Sequence, residues 1–344
     1  MFIEIGRVAL RRRVPAAAAA AVMAGAAGLA LSAPAEASPL NLVNCNASPN
    51  ALQPAIDGAA HGEILLVTGT CTGPFTISSN LTLNGIGHAV LDGNQAGRTV
   101  TVASGAQVHL NHLAITNGAG GISNQGTLTV GESTVSGNTA PNAPGGGINN
   151  GVGATLAVIG SVVADNTAAG AGGGINSNGV ITVRDSRLFG NSGDNCGGIA
   201  NVGLAGVTAT VTGSSLHDNT ARLADGGGIC NSQGASLTLS DSAVYGNTAD
   251  FGAGIYDDIG TSTVTGSTVT RNTASDQGGG IYAVNGGVIR LSLSAVEGNT
   301  ANGGSGSGGG IFNASGTVNL KLSSVHDNHP DNCDPSGSVL GCIG

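Results

Sequence analysis

One string of residues recurs eight times in this chain, always with the same internal spacing. Each copy holds two aliphatic residues, a serine, a branched residue and a final asparagine, as in LTVGESTVSGN, ITVRDSRLFGN and LTLSDSAVYGN. The eight copies end at Asn138, Asn166, Asn191, Asn219, Asn247, Asn272, Asn299 and Asn328. Repeats of about 20–50 residues are typical of solenoids, in which each repeat buries its apolar face against its neighbours. The string therefore predicts a solenoid.

The serine of each copy is a fixed reference for the other positions. Aliphatic residues lie five and three positions before it, and Val or Leu lies two positions after it. Ser262 is the only polar residue at these aliphatic positions. A spacing of two is the period of a β-strand. We therefore expect these positions and the serine to point inward, and the asparagine to close the strand at a turn.

A second inward column begins with an isoleucine that follows each Gly-rich segment. Successive isoleucines are 24 to 30 residues apart, which suits one coil of three strands. They are Ile122, Ile148, Ile175, Ile199, Ile229, Ile255, Ile281 and Ile311. Two residues further on, Asn is the commonest residue, and Asp257 takes that place in one coil. Inward asparagines on stacked coils can bond to each other, at about 1 kcal/mol net per hydrogen bond. The fold class predicted is all-β, a single-stranded parallel β-helix with three strands per coil.

The N-terminus has the features of a secretory signal. Arg11, Arg12 and Arg13 precede an Ala-rich apolar run, and Ala35-Glu36-Ala37 offers a small-x-small cleavage site. We expect residues 1–37 to be a signal peptide and residues 38–344 to form the β-helix; an uncleaved anchor is the alternative. No other stretch has membrane-spanning length, so no integral membrane insertion is expected.

Charge excludes some partners. Removing residues 1–37 takes away four of the 11 basic and two of the 20 acidic residues, which leaves a net charge of −11. A chain this acidic is not expected to bind nucleic acid or anionic lipid surfaces.

Six cysteines, all after residue 37, suit an oxidising compartment. We expect structural disulfides Cys45–Cys71 and Cys333–Cys342, one at each end of the solenoid. Whether Cys196 and Cys230 pair stays open, because their positions relative to Ile199 and Ile229 differ by four residues. No cysteine or histidine spacing suggests a metal site, and no cofactor is expected.

Both ends of the solenoid are expected to be capped. PNALQPAIDGAA at residues 49–60 predicts a short amphipathic helix within an N-terminal cap at residues 38–63, and residues 329–344 are expected to cap the other end. A cap covers strand edges and core that would otherwise be exposed.

Two short elements recur in the chain: GGGI, as at Gly145–Ile148, and Val-x-x-Asn, as at Val135-x-x-Asn138. Both resemble motifs of a known protein family. The chain is similar to secreted right-handed parallel β-helix proteins of the pectin-lyase-like superfamily, and in particular to polymorphic outer membrane protein repeats. The resemblance implies a right-handed coil. Enzymes of this superfamily carry a calcium-binding Asp cluster with a catalytic Arg, or close Asp residues with an Arg-x-Lys element. None of these strings is present. The cluster of Arg184, Asp185 and Arg187 is interpreted as a solvated charge patch.

Aromatic residues gather in two outward columns. Tyr256, Tyr282 and Phe312 each follow an inward isoleucine, and Phe189, His217 and Tyr245 lie three residues after a repeat serine. Exposed aromatic strips bind sugars or partner proteins; the alternative is that they only stabilise the sheet. The sequence thus predicts a secreted, extracellular module, free or retained at the cell surface, that is not catalytic and binds glycans or proteins in adhesion. The alternative is a carbohydrate-active enzyme, a polysaccharide lyase or glycoside hydrolase, whose site is assembled across coils.

Overall fold

The computed structural model describes residues 41–343, which form a parallel β-solenoid of about 11 coils. The predicted all-β fold class is confirmed. The signal peptide predicted at residues 1–37 lies outside the described residues. Among residues 41–343, no helix is both long and apolar enough to cross a membrane.

From Glu63 onward, every coil passes through three long sheets, called A, B and C. Sheet A consists of Asn41–Asn44, Glu63–Thr68, Leu81–Gly85, Gln107–Asn111, Thr127–Gly131, Thr155–Ile159, Val180–Arg184, Thr208–Thr212, Ser236–Ser240, Thr261–Thr265, Val288–Ser292 and Thr317–Lys321. Sheet B consists of Thr70–Thr72, Val90–Asp92, Ala114–Thr116, Thr134–Ser136, Val162–Ala164, Arg187–Phe189, Ser215–His217, Ala243–Tyr245, Thr268–Thr270, Ala295–Glu297 and Ser324–His326.

Sheet C consists of Phe75–Ile77, Val100–Val102, Ile122–Asn124, Ile148–Asn150, Ile175–Ser177, Ile199–Val202, Ile229–Ser232, Ile255–Asp258, Ile281–Val284, Ile311–Asn313 and Cys333–Asp334. A fourth, short sheet D was not predicted. It consists of Thr139–Ala140, Thr167–Ala171, Ser192–Asn195, Thr220–Ala221, Thr248–Phe251, Thr273–Gln277 and Thr300–Ala301. Sheet D forms because the asparagine ladder keeps the chain in register past the turn, so that the next backbone groups also pair; Thr167 N–H, for example, bonds to the Asn138 carbonyl at 2.8 Å.

The repeat asparagines form one continuous ladder inside the solenoid. The side-chain amide of Asn219 donates to Oδ1 of Asn247 and to the carbonyl oxygen of Leu188, each at 3.0 Å. Its Oδ1 accepts from the backbone and side-chain amides of Asn191 at 3.1 and 2.9 Å. The same bonds recur from coil to coil, and the last amide of the ladder, Asn328, bonds to Asn332 at 3.2 Å. The ladder thereby satisfies buried polar groups that would each cost about 1–3 kcal/mol if left unpaired.

A helix covers the first strand of sheet C, at the N-terminal end of the solenoid. It spans Leu52–Gly58 and buries Leu52 and Ile56. The side chain of Gln53 bonds to both backbone groups of Thr76, accepting at 2.8 Å and donating at 3.1 Å. The side chain of Gln53 therefore makes the hydrogen bonds that a neighbouring strand would make. The predicted capping helix is present.

All six cysteines form disulfides. Cys45–Cys71 and Cys333–Cys342 pair as expected, with Cα atoms 5.0 and 6.3 Å apart. Cys196 and Cys230, whose pairing the sequence left open, are also joined, and their Cα atoms are 5.7 Å apart. Three disulfides suggest an extracellular environment.

Candidate functional site

The aromatic column of sheet B is a continuous stack of rings. Phe189, His217 and Tyr245 lie in register on neighbouring strands. Ring centroids are 5.0 Å apart for Phe189 and His217 and 4.7 Å apart for His217 and Tyr245, with planes within 8° of parallel. The guanidinium of Arg271 lies 6.0 Å from the centroid of Tyr245 and covers its outer face. His217 Nδ1 also bonds to the neighbouring Asp218 carboxylate at 2.8 Å.

The second column forms a similar stack on sheet C. The centroids of Tyr256 and Tyr282 are 5.6 Å apart, and those of Tyr282 and Phe312 are 5.3 Å apart. Phe251, from sheet D, meets Tyr282 edge-on at 5.5 Å. Phe312 is only 9% exposed. Tyr256 and Tyr282 are therefore the two members of this column that reach solvent.

Stacking changes what the rings can offer to a ligand. Parallel rings about 5 Å apart lie face to face, so the flat surfaces that would receive a sugar ring are occupied by neighbouring rings. Edges, tyrosine hydroxyls and nearby carboxylates remain accessible. Any ligand at these columns is therefore bound mainly by hydrogen bonds rather than by stacking on a broad aromatic surface.

A tight glycine turn precedes most strands of sheet C in the repeat region. At Gly252, φ is +55° and a Cβ would lie 3.0 Å from the Cβ of Tyr256. The turn thus folds the end of sheet D back against sheet C. Phe251 and, one coil earlier, Asp225 lie just before the turn and pair with each other in a β-bridge. We use the name glycine-turn groove for this corner, where Asp225 and Phe251 lie on one side and Tyr256 and Tyr282 on the other, with the rings of Phe251 and Tyr282 in contact.

Asp225 is the most perturbed acid in this groove. Burial raises the pKa of its carboxyl to about 6, despite an opposing hydrogen bond with Tyr256, and the charges of Asp258 and Asp250 raise it further. Burial and the charge of Asp225 also raise the pKa of Tyr256. Tyr256 therefore remains a hydrogen-bond donor, while Asp225 gains and loses a proton within the physiological pH range.

The sequence did not point to Asp225 or Phe251. Both lie in the turn between the repeat asparagine and the next isoleucine, where loop length varies between coils. One signal was available, because each lies four residues before its isoleucine, directly before a glycine. The glycine has a positive φ in both coils.

The other predicted features occupy separate places. Asp257 is completely buried in the asparagine column, in agreement with its interpretation as a substitute for Asn. Arg184 and Asp185 form an exposed ion pair, with Nε and Oδ2 3.8 Å apart. Within the part of the chain that the structure describes, no group of three or more His, Cys, Asp or Glu is arranged to hold a metal ion.

Comparison with known proteins shows the fold. The structure is similar to that of pectate lyase Pel9A, with a TM-score of 0.54 and 16% sequence identity over 85% of this chain and 80% of that one. It also matches an alginate lyase from Paenibacillus sp. str. FPU-7, with a TM-score of 0.44 and 16% identity over 84% of this chain and 99% of that one. The fold is the right-handed parallel β-helix. No protein-family profile and no curated protein sequence matches the chain.

Proposed function

We propose that this protein is an extracellular β-helix that binds a glycan in the glycine-turn groove. The observation that carries the proposal is the meeting of Asp225, Tyr256 and two further carboxylates, Asp250 and Asp258, beside the exposed tyrosine stack. Carboxylates and a phenol hydroxyl are suited to bind the hydroxyl groups of sugars.

The location proposed is the outside of the cell, by secretion with or without retention at the surface. Three disulfides and the signal-like residues 1–37 support it. The likeness of the GGGI and Val-x-x-Asn elements to polymorphic outer membrane protein repeats supports a surface role such as adhesion.

A glycan array tests the binding proposal directly. The purified protein is applied to the array beside a Tyr256→Ala/Tyr282→Ala variant and a Thr263→Ala control, whose substitution lies on sheet A. We expect signals on a defined set of glycans, at least a tenfold loss in the double variant and none in the control. An array without signal, or a double variant that binds as well as the unaltered protein, would refute the proposal.

A second candidate function is hydrolysis of the bound glycan. The similarity to pectate lyase Pel9A supports carbohydrate-active chemistry on this fold. Glycoside hydrolases use one protonated carboxyl as the acid and a second carboxylate as the base or nucleophile. Asp225, with a pKa of about 6, fits the acid, and Asp250 and Asp258 are the available carboxylates. In this reaction Asp225 would protonate the leaving glycosidic oxygen, and water would supply the new hydroxyl.

The charges in the groove favour a neutral glycan. Pectate is a polyanion, and the carboxylates Asp225, Asp250 and Asp258 would repel it. We therefore expect neutral polysaccharides to be better ligands or substrates than pectate.

The pH profile tests the hydrolase candidate. Release of reducing ends from neutral polysaccharides should fall as the pH rises through about 6, because Asp225 then loses the proton that it must donate. Asp225→Asn should abolish activity and keep binding. Tyr256→Phe removes a hydrogen bond that lowers the pKa of Asp225, so it should move the alkaline limb to higher pH. Full activity in Asp225→Asn would rule out this role.

A further inference from the structure

A second groove follows the corner between sheets A and B, and we call it the A–B groove. It lies at a different corner of the coil from the glycine-turn groove, which separates sheets D and C. Three cavities of about 450, 480 and 460 Å³ lie along it, lined by residues in the ranges 87–134, 185–266 and 266–324. The A–B groove is therefore a feature of most of the solenoid and not of a single coil.

One wall of the A–B groove alternates between an acid and glycine. The residue before the repeat serine is Glu132, Gly160, Asp185, Gly213, Asp241 and Gly266 in six successive coils, and Leu293 and Leu322 take this place in the last two. All six have φ between +45° and +58°, a region that favours Gly and Asp.

The alternation has a packing cause. A Cβ added at Gly213 would lie 2.7 Å from Oδ1 of Asp185, and one added at Gly266 would lie 2.8 Å from Oδ1 of Asp241. The carboxylates of Asp185 and Asp241 thus lean over the next coil, where a side chain larger than glycine would have to displace them. From Glu132 to Asp241, carboxylates consequently recur at every second coil, and those of Asp185 and Asp241 lie over the glycine of the coil that follows.

The opposite wall is polar and mostly short. In the central cavity Arg187, Ser215 and Ala243 lie in register on sheet B, facing Asp185 and Asp241. Hydrogen-bond acceptors, a hydroxyl and one guanidinium are thereby presented around open space. This combination suits a ligand that carries many hydroxyl groups, whereas the two carboxylates disfavour a polyanion.

The spacing distinguishes between two extended ligands. Two coils advance about 9.6 Å along the axis, because strands are about 4.8 Å apart. An extended peptide repeats every two residues, or about 6.8 Å, and does not match. A β-linked chain of hexoses whose successive units are flipped repeats every two sugars, at a length close to the two-coil spacing.

We propose that the A–B groove binds a neutral, extended, β-linked polysaccharide parallel to the solenoid axis, with one disaccharide for each carboxylate of the alternating wall. The site is distinct from the glycine-turn groove, and this proposal does not depend on the function assigned to that groove.

Titration calorimetry of the full chain with cello-oligosaccharides of increasing length tests the proposal. Affinity should rise in steps of two sugars. Ser215→Arg should lower it at least tenfold by filling the central cavity, and Asp241→Asn should lower it by removing one carboxylate. Thr263→Arg is the matched control and should bind normally. Arg187 and Arg290 already lie in register beside positions 215 and 263, so both places accommodate arginine.

Three results would overturn the proposal. The first is that no cello-oligosaccharide binds, and the second is that affinity does not depend on chain length. The third is binding that survives Ser215→Arg and Asp241→Asn but is lost in Tyr256→Ala, because the ligand would then lie in the glycine-turn groove. Circular dichroism of each variant establishes that the solenoid is folded before binding is compared.

Discussion

At the scale of single residues, Asp257 and Ser262 are two departures from the repeat that contact each other. Asp257 stands where other coils have Asn, and Ser262 stands where other coils have an aliphatic residue. Both are completely buried. The hydroxyl of Ser262 donates to Oδ2 of Asp257, which also accepts from Asn231 at 3.0 Å. The two departures from the repeat are therefore one polar pair within the core, and burial raises the pKa of its carboxyl.

Asp257→Asn should stabilise the protein at neutral pH. A carboxyl whose pKa is higher in the folded state binds its proton more tightly there, so the free energy of unfolding falls as the pH rises from the usual carboxyl range towards the folded pKa. Asn removes this loss. We expect the variant to gain about 1–3 kcal/mol near neutral pH, and less near pH 4. Urea denaturation at both pH values measures the difference, with the exposed Asp165→Asn as a control that should show none. An equal effect at both pH values would contradict it.

Asn219→Ala tests the central ladder. The substitution removes four side-chain hydrogen bonds, to Asn247, Leu188 and Asn191, and leaves buried partners unsatisfied. We expect a loss of roughly 1–3 kcal/mol in the free energy of unfolding. Asn302→Ala, at an exposed position outside the ladder, should cost far less. A melting curve of Asn219→Ala that matches the unaltered protein would show that the ladder contributes little.

At the scale of elements, the glycine turn decides what lies beside sheet C. The first glycine of this turn, as in Gly172, Gly226 and Gly252, has a positive φ and no space for a Cβ. Cys196 holds the same position with a φ of +57°. The turn brings this position close to the residue that follows the isoleucine. A Cβ added at Gly226, for example, would lie 2.2 Å from Sγ of Cys230. The turn therefore brings together two positions that differ by four residues in the repeat, and Cys196 and Cys230 occupy these two positions.

Removing the Cys196–Cys230 disulfide should lower the stability of the protein least when residue 196 is replaced by glycine. We expect Cys196→Gly/Cys230→Ala to melt at a higher temperature than Cys196→Ala/Cys230→Ala. The reason is that a Cβ in the left-handed region costs about 1 kcal/mol and also meets the backbone of the turn. Calorimetric melts of the two double variants give the comparison. The opposite order would mean that residue 196 does not need the conformational freedom of glycine.

At the scale of the whole molecule, the two ends of the solenoid are covered differently. The helix Leu52–Gly58 covers the first strand of sheet C. At the other end, Cys333–Asp334 extends sheet C and Leu340 forms a single bridge with Asn319, but Thr317–Lys321 and Ser324–His326 are the last strands of sheets A and B among the described residues. Leu322 and Leu340 nearby are 81% and 88% exposed. The C-terminal end is thus the less protected one.

Hydrogen exchange should follow this asymmetry. Solenoid coils are stabilised by their nearest neighbours, so a coil with one neighbour opens more readily than a coil with two. We expect amides of residues 317–326 to exchange at least tenfold faster than those of residues 208–217 in the unaltered protein, measured by mass spectrometry. Equal protection would indicate that something covers the last strands of sheets A and B in solution.

The repeat pattern was enough to predict the interior of this protein. Ser133, Asn138 and Ile148 recur at fixed offsets because every coil must align the same inward groups with its neighbours, and that requirement is local and periodic. The fold class and the inward columns follow from it, whereas the two terminal disulfides were predicted from the position of each cysteine pair at one end of the solenoid. The helix could also be predicted, from its apolar spacing, with its ends shifted by a few residues.

The arrangement of surface residues could not be predicted from the repeat pattern. Asp225 meets Tyr256 across a turn whose length varies, Cys196 meets Cys230 through a glycine corner, and the aromatic rings turn their faces to each other. These arrangements depend on how adjacent coils bend and stack, and outward positions are free to differ from one coil to the next. The repeat therefore fixes what is buried, while the contacts between coils at their corners create the two grooves.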